Sequence, residues 1–135
     1  MSQENVEIVR AFLASFNGLA EGGEDVHSHV PGFFDPNCEY WPVEEIDVIR
    51  GHEALIEWLE RWLEAWSSFR AEVEEITDGG ELVVAAESTI GRGRTSGIEI
   101  RMRWFHVFEM REGRILRWRE YLDRDSALEA AGLRE

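Results

Sequence analysis

The stretch IEIRMRWFHVF at residues 98–108, the break Arg111-Glu112-Gly113 and the stretch RILRWREYLD at residues 114–123 decide how this chain folds. Apolar and polar residues alternate on both sides of a tight break, the pattern of a long antiparallel hairpin. One face then carries Met102, Trp104, His106 and Phe108 beside Leu116, Trp118, Glu120 and Leu122. A histidine and a carboxylate stand in an otherwise aromatic and aliphatic surface, which suits a pocket with chemistry in it.

Turn chemistry sets the expected register. Met110-Arg111-Glu112-Gly113 suits a type I turn with Gly113 in the left-handed bulge position, a three-residue connection. Met110 then pairs with Arg114, His106 faces Trp118, and Trp104 faces Glu120, so His106 and Glu120 are diagonal neighbours. A two-residue loop would slip the register by one and turn His106 to the other face.

Four further strands and the helices follow from the rest of the chain. Strands are expected over Phe69 to Ile76 and Glu81 to Gly91, joined to each other by Asp78-Gly79-Gly80 and to the hairpin by residues 93–97. A short strand from Cys38 to Trp41 stops at Pro42, and Val48-Ile49 forms another before Gly51. Asp35-Pro36-Asn37 reads as a turn. Helical spacing of Val6, Val9, Phe12, Leu13 and Phe16 predicts a helix from Ser2 to Leu19, and a shorter one spans Asp25 to Phe34 around Pro31-Gly32. Leu55, Leu59, Trp62 and Trp66 predict the clearest helix, Glu53 to Phe69. Ser126 to Ala131 forms a last helical turn, capped by Asp123 and stopped by Gly132. Helices followed by an antiparallel meander describe an α+β domain with helices on one face of a curved sheet. Phe105, Val107 and Tyr121 fall on the opposite sheet face, which predicts a homodimer through that outer face.

Composition bounds the rest. A chain of 135 residues fits a single domain over residues 1–135, and 44% hydrophobic content with six Trp and seven Phe supplies a core and leaves rings to line something else. No apolar run approaches the ~20 residues that span a bilayer. Met1-Ser2-Gln3-Glu4 has neither the basic region nor the apolar core of a secretory signal, so a cytoplasmic protein without a membrane partner is expected. The single Cys38 excludes an internal disulfide framework. A net charge of −14 with no lysine opposes nucleic-acid binding, because Arg92, Arg94, Arg101 and Arg103 interleave with apolar residues near Glu81, Glu87 and Glu99. His27 and His29 with Glu24 or Glu39 offer metal-ligand types, but side chains two apart project together only from a strand. No metal site is expected.

Several stretches resemble one family. Residues 50–54, Arg50-Gly51-His52-Glu53-Ala54, open the long helix, Gly91 to Gly97 form a turn, and Gly113-Arg114-Ile115 runs to Glu120-Tyr121-Leu122-Asp123 and then residues 127–133. Over nearly the whole chain these resemble SnoaL-like proteins of the nuclear transport factor 2-like superfamily, whose cone-shaped, cystatin-like α+β fold also serves ketosteroid isomerases, limonene epoxide hydrolases and scytalone dehydratases. The resemblance implies a curved antiparallel sheet with helices packed on its concave face. It is specific for fold and weak for reaction. The aspartate that acts as base in steroid isomerases corresponds to Trp41 before Pro42, and the first-helix tyrosine to Phe12 or Phe16, so that route is absent. The Arg and two Asp residues of the epoxide hydrolases have no match. The acid and histidine of the polyketide cyclases correspond in location to Glu120 and His106.

The residues and the resemblance together suggest an apolar small-molecule ligand in a hydrophobic cone pocket. Glu120 and His106 would catalyse cofactor-free proton transfer, as in an isomerase, cyclase or dehydratase. Phe12, Phe16, Trp41, Trp62, Trp104, Trp118 and Leu122 would bind the substrate. Trp58 and Trp66 read better as core packing. A non-catalytic binding or dimerisation module of the same fold remains the alternative, with Glu120 and His106 pairing only to satisfy a core histidine.

Overall fold

The computed structural model describes residues 2–43 and 47–133, so Met1 and the last two residues of the expected 1–135 span lie outside the described residues. In chain order the elements are α1 (Ser2–Ala20), α2 (Val26–Phe33), β1 (Phe34–Trp41), β2 (Ile49–Arg50), α3 (Gly51–Glu64), β3 (Trp66–Gly79), β4 (Leu82–Gly93), β5 (Glu99–Arg111), β6 (Arg114–Tyr121) and α4 (Arg124–Ala130). The strands form one sheet in the order β2-β1-β6-β5-β4-β3. β3 to β6 are an antiparallel meander, whereas β1 runs parallel to β6, so the curved sheet is mixed.

The decisive hairpin reaches the expected face by a different route. Arg111 pairs with Arg114, leaving a two-residue loop in which Glu112 and Gly113 both have positive φ, 51° and 80°. That is the geometry of a type I′ turn. Taken alone, it would have turned His106 outward. Instead Met110 pairs with Ile115 while Glu109 pairs with Arg117, so Leu116 is an extra residue that restores the parity. His106 therefore lies directly opposite Glu120, and Phe108 opposite Trp118.

Two other expectations are corrected. Residues 35–37 lie inside β1, although the turn chemistry survives: the Asn37 N–H donates to Asp35 Oδ1 at 2.8 Å, within an irregularity of the β1–β6 register between Phe34 and Glu39. The long helix stops at Glu64 because the following residues join the sheet, Trp66 against Gly93 and Phe69 against Gly91. Ser67 and Ser68 are weak helix formers, and cross-strand hydrogen bonds outweigh the helical spacing of Trp66.

The main core lies between α1, α2, α3 and the inner sheet face. Val9, Phe12, Val30, Phe34, Leu55, Leu59, Phe108 and Ile115 are completely buried there. Asn17 locks α1 to β3, accepting from the Ala71 N–H at 2.8 Å and donating to the Ala71 carbonyl at 3.0 Å. On the outer face a smaller cluster joins Val84, Ala86, Phe105 and Val107 to Ala127 and Leu128 of α4 and to Ala131 at its end. The cover expected from a second copy is thus supplied over this patch by the chain's own last helix. Asp123 caps α4 by accepting from the Ser126 N–H at 2.8 Å.

His29 of α2 is buried in the main core, where its Nε2 meets the hydroxyl of Ser15, itself bonded to the Phe12 carbonyl. Burial pushes its pKa down from 6.5 to about 4. The group then contributes stability that is fully present above pH 6.5 and is lost as pH falls towards 4. Unfolding free energies measured at pH 7 and pH 5 should differ by about 2 kcal/mol more in the native chain than in His29→Gln; equal slopes would show that His29 is not held neutral.

Candidate functional site

The inner face of the sheet does not meet the helices everywhere. Between the end of α3 and the strands β4, β5 and β6 it leaves a cavity of about 350 Å³, of a size suited to a small ligand. Trp58, Trp62 and Trp66 with Phe69 and Phe16 form one wall. The middle of the sheet forms the other, with Glu87, Thr89 and Gly91 of β4 alternating on one face and Met102, Trp104 and His106 doing the same on β5. Trp118 and Glu120 of β6 complete it beside Tyr40.

Gly91 makes room for the aromatic wall. A Cβ there would come within 2.6 Å of the Trp66 ring and 3.3 Å of Phe69. Both rings are held by neighbours, Phe69 edge-to-face with Trp62 at 4.6 Å. Trp104 is fixed differently, its indole N–H donating to Thr89 Oγ1 at 3.0 Å.

The polar chemistry is concentrated on His106, 3% exposed. Its Nε2 lies 2.9 Å from Glu87 Oε1, and its Nδ1 accepts from the Trp118 indole N–H at 3.0 Å. Indole nitrogen can only donate, so Nδ1 presents a lone pair and the proton sits on Nε2, donated to Glu87. Glu120 Oε2 lies 3.8 Å from the same Nδ1. Glu120 also accepts from the Val43 N–H at 3.3 Å and from the Tyr40 hydroxyl. Tyr40 stacks on Trp118, ring centroids 3.8 Å apart.

These surroundings shift both groups. Burial raises the Glu120 pKa, and the His106 charge and the Tyr40 and Val43 hydrogen bonds only partly counter it. Burial works against the His106 imidazolium, but the Glu87 hydrogen bond and the charges of Glu87 and Glu120 together outweigh it, so its pKa is raised. The Trp118 hydrogen bond opposes that rise by occupying the Nδ1 lone pair. A carboxyl group and an imidazole are thereby drawn towards the pH range in which each can exchange protons.

Six of the residues singled out from the sequence meet here: Glu120, His106, Phe16, Trp62, Trp104 and Trp118. Three do not line the cavity. Phe12 is wholly buried behind its wall, edge-on to Trp118 at 5.1 Å. Trp41 is 43% exposed because the alternation along β1 turns it away from Tyr40, and Leu122, beyond the end of β6, is 54% exposed. Trp58 and Trp66, read as core, line the cavity. Glu87 and Tyr40 were missed. The available signal for Glu87 was one carboxylate inside the apolar run from Leu82 to Ile90. Among the described residues, no group of three or more His, Cys, Asp or Glu side chains could hold a metal ion, and no helix is long and apolar enough to cross a membrane.

Removing the indole N–H in Trp118→Phe should raise the His106 pKa further, read by NMR titration of the ring nitrogens; an unchanged value would show that Nδ1 does not receive that hydrogen bond. Gly91→Ala should destabilise the fold by about 1–3 kcal/mol through overpacking against Trp66, measured by chemical denaturation; an unchanged midpoint would mean that the ring is free to move.

Comparison with known proteins agrees with this architecture. No curated protein matches the sequence significantly. A candidate SnoaL-like polyketide cyclase from Jannaschia sp. CCS1 superposes with a TM-score of 0.78 at 19% identity, over 97% of this chain and 92% of the other. A protein of ketosteroid isomerase-like fold from Catenulispora acidiphila, solved with trimethylamine, gives 0.74 at 17% identity over 94% and 93%. An LEH-like epoxide hydrolase from M. tuberculosis gives 0.71 at 23% identity over 90% and 84%. The SnoaL-like domain family matches residues 9–118, and the chain, with its curved α+β sheet, belongs to that family.

Proposed function

We propose that the cavity binds an apolar small molecule and that Glu120 and His106 carry out cofactor-free proton transfer on it, as in isomerisation, cyclisation or dehydration. The observation that most supports this reading is a poorly solvated carboxyl group 3.8 Å from an imidazole, both in the wall of an aromatic cavity. Protonated, Glu120 can donate to a carbonyl or leaving oxygen; ionised, it can remove a proton from carbon beside a carbonyl. His106, held through Nε2 by Glu87, lies 3.8 Å from that carboxyl group and stabilises its charge when the imidazole is protonated. Phe16, Trp62, Trp104 and Trp118 hold the apolar body of the substrate and exclude water.

A second reading, a binding or accessory module without catalysis, is favoured by one feature. The Trp118 N–H occupies the Nδ1 lone pair through which His106 would accept a proton. A single domain in the cytoplasm, assembling as a homodimer through the outer sheet face, completes the proposal.

Steroid ketones, polyketide fragments, epoxides and lactones incubated in deuterated solvent test both readings by NMR. Exchange or turnover that falls by about 10²–10⁴-fold in Glu120→Gln is the expected result. Turnover unchanged by the substitution would remove Glu120 from the reaction, and saturable binding with no exchange would leave the accessory reading.

A further inference from the structure

We propose that the cavity selects hydrophobic amines, holding a protonated nitrogen against Glu87 within walls of tryptophan. This rests on the reading that the cavity takes an apolar small molecule, and it adds the charge of that molecule and its anchor.

Glu87 is 5% exposed and lines the cavity from the middle of β4. Its Oε1 is engaged by His106, but its Oε2 is buried with no hydrogen-bond partner among the described residues. A buried carboxylate oxygen left unsatisfied is costly, so a turn of the carboxyl group that brings Oε2 to a donor in the cavity is favoured. Charge narrows the kind of donor. While the Trp118 N–H points at Nδ1, His106 is neutral and gives Glu87 a hydrogen bond without a countercharge. Among the described residues no arginine lines the cavity, and the chain has no lysine. Glu120, across the same space, supplies a second acidic group. With His106 in this neutral form, a positive charge on the ligand balances Glu87.

The walls fit a cation. Trp58, Trp62, Trp66 and Trp104 surround the space, and indole is the best of the side-chain rings at attracting a cation to its face. The net charge of −14 concentrates cations around the whole molecule. A neutral alcohol could fill the Oε2 vacancy but would leave the carboxylate uncompensated, and an acid would meet two acidic groups at once. Ammonium to carboxylate is the stronger, charge-assisted bond.

Calorimetric titration of the full chain with phenylbutylamine, phenylbutanol and phenylbutyrate separates these cases at matched shape. The amine should bind at least about tenfold more tightly than the alcohol, with the acid weakest. In Glu87→Gln, checked for folding by near-ultraviolet circular dichroism, the amine should fall to the level of the alcohol. An alcohol that binds as tightly as the amine overturns the inference and leaves the apolar pocket standing; so does an amine preference that survives in the folded variant. Binding by none of the three would remove the pocket reading beneath it. The comparison on the native chain decides the matter even if the variant does not fold.

Discussion

The parity of the β5–β6 pairing is the constraint on which both the core and the cavity depend. Side chains on a strand alternate faces, so one residue more or less between the hairpin turn and Trp118 exchanges the inner and outer sets. The tight turn at Glu112-Gly113 sets the wrong parity for this core, and the extra residue Leu116 corrects it within a few residues. Trp118 then reaches the interior, where it stacks on Tyr40 and Phe108 and receives the edge of Phe12. His106 and Glu120 enter the cavity wall on the same account.

A histidine and two carboxyl groups in an aromatic interior form an expensive arrangement unless each is engaged. Glu87 orients the ring through Nε2, Trp118 fixes the tautomer through Nδ1, and Tyr40 with the Val43 N–H limits the isolation of Glu120. The result is a polar seam running across β4, β5, β6 and β1, bounded on the helix side by rings. Such seams are where perturbed acid–base behaviour and function tend to coincide.

The scaffold keeps this seam away from the packed core. Phe12, Phe34, Leu55 and Leu59 fill the space between helices and sheet, while the end of α3 is propped by aromatic contacts against the start of β3, which stays paired with β4. Gly91 allows the Trp66 ring to lie against the strand. On the opposite face α4 covers Phe105 and Val107. Membership of the SnoaL-like family accounts for the architecture, while the chemistry rests on the side chains this chain places along the seam.

The sequence by itself determined the α+β order, the hairpin, the amphipathic face of α1 and the Asp123 cap, because each follows from local period or local hydrogen bonding. It also pointed to His106 and Glu120, since a polar residue in an apolar alternation is visible along one strand. Tertiary structure decided what depends on neighbours distant in sequence. A two-residue turn corrected by the bulge at Leu116 stands in place of the three-residue turn, and pairing with β4 drew Trp66 from helix into sheet, so that an expected core residue lines the cavity. Glu87 stayed hidden for the same reason: its partner His106 lies on the adjacent strand, 19 residues on, and only the β4–β5 register brings them together. Trp41 and Leu122 had the right residue type but lie outside the cavity, for a ring's chemistry says nothing of which side of a strand, or which side of its end, it will occupy.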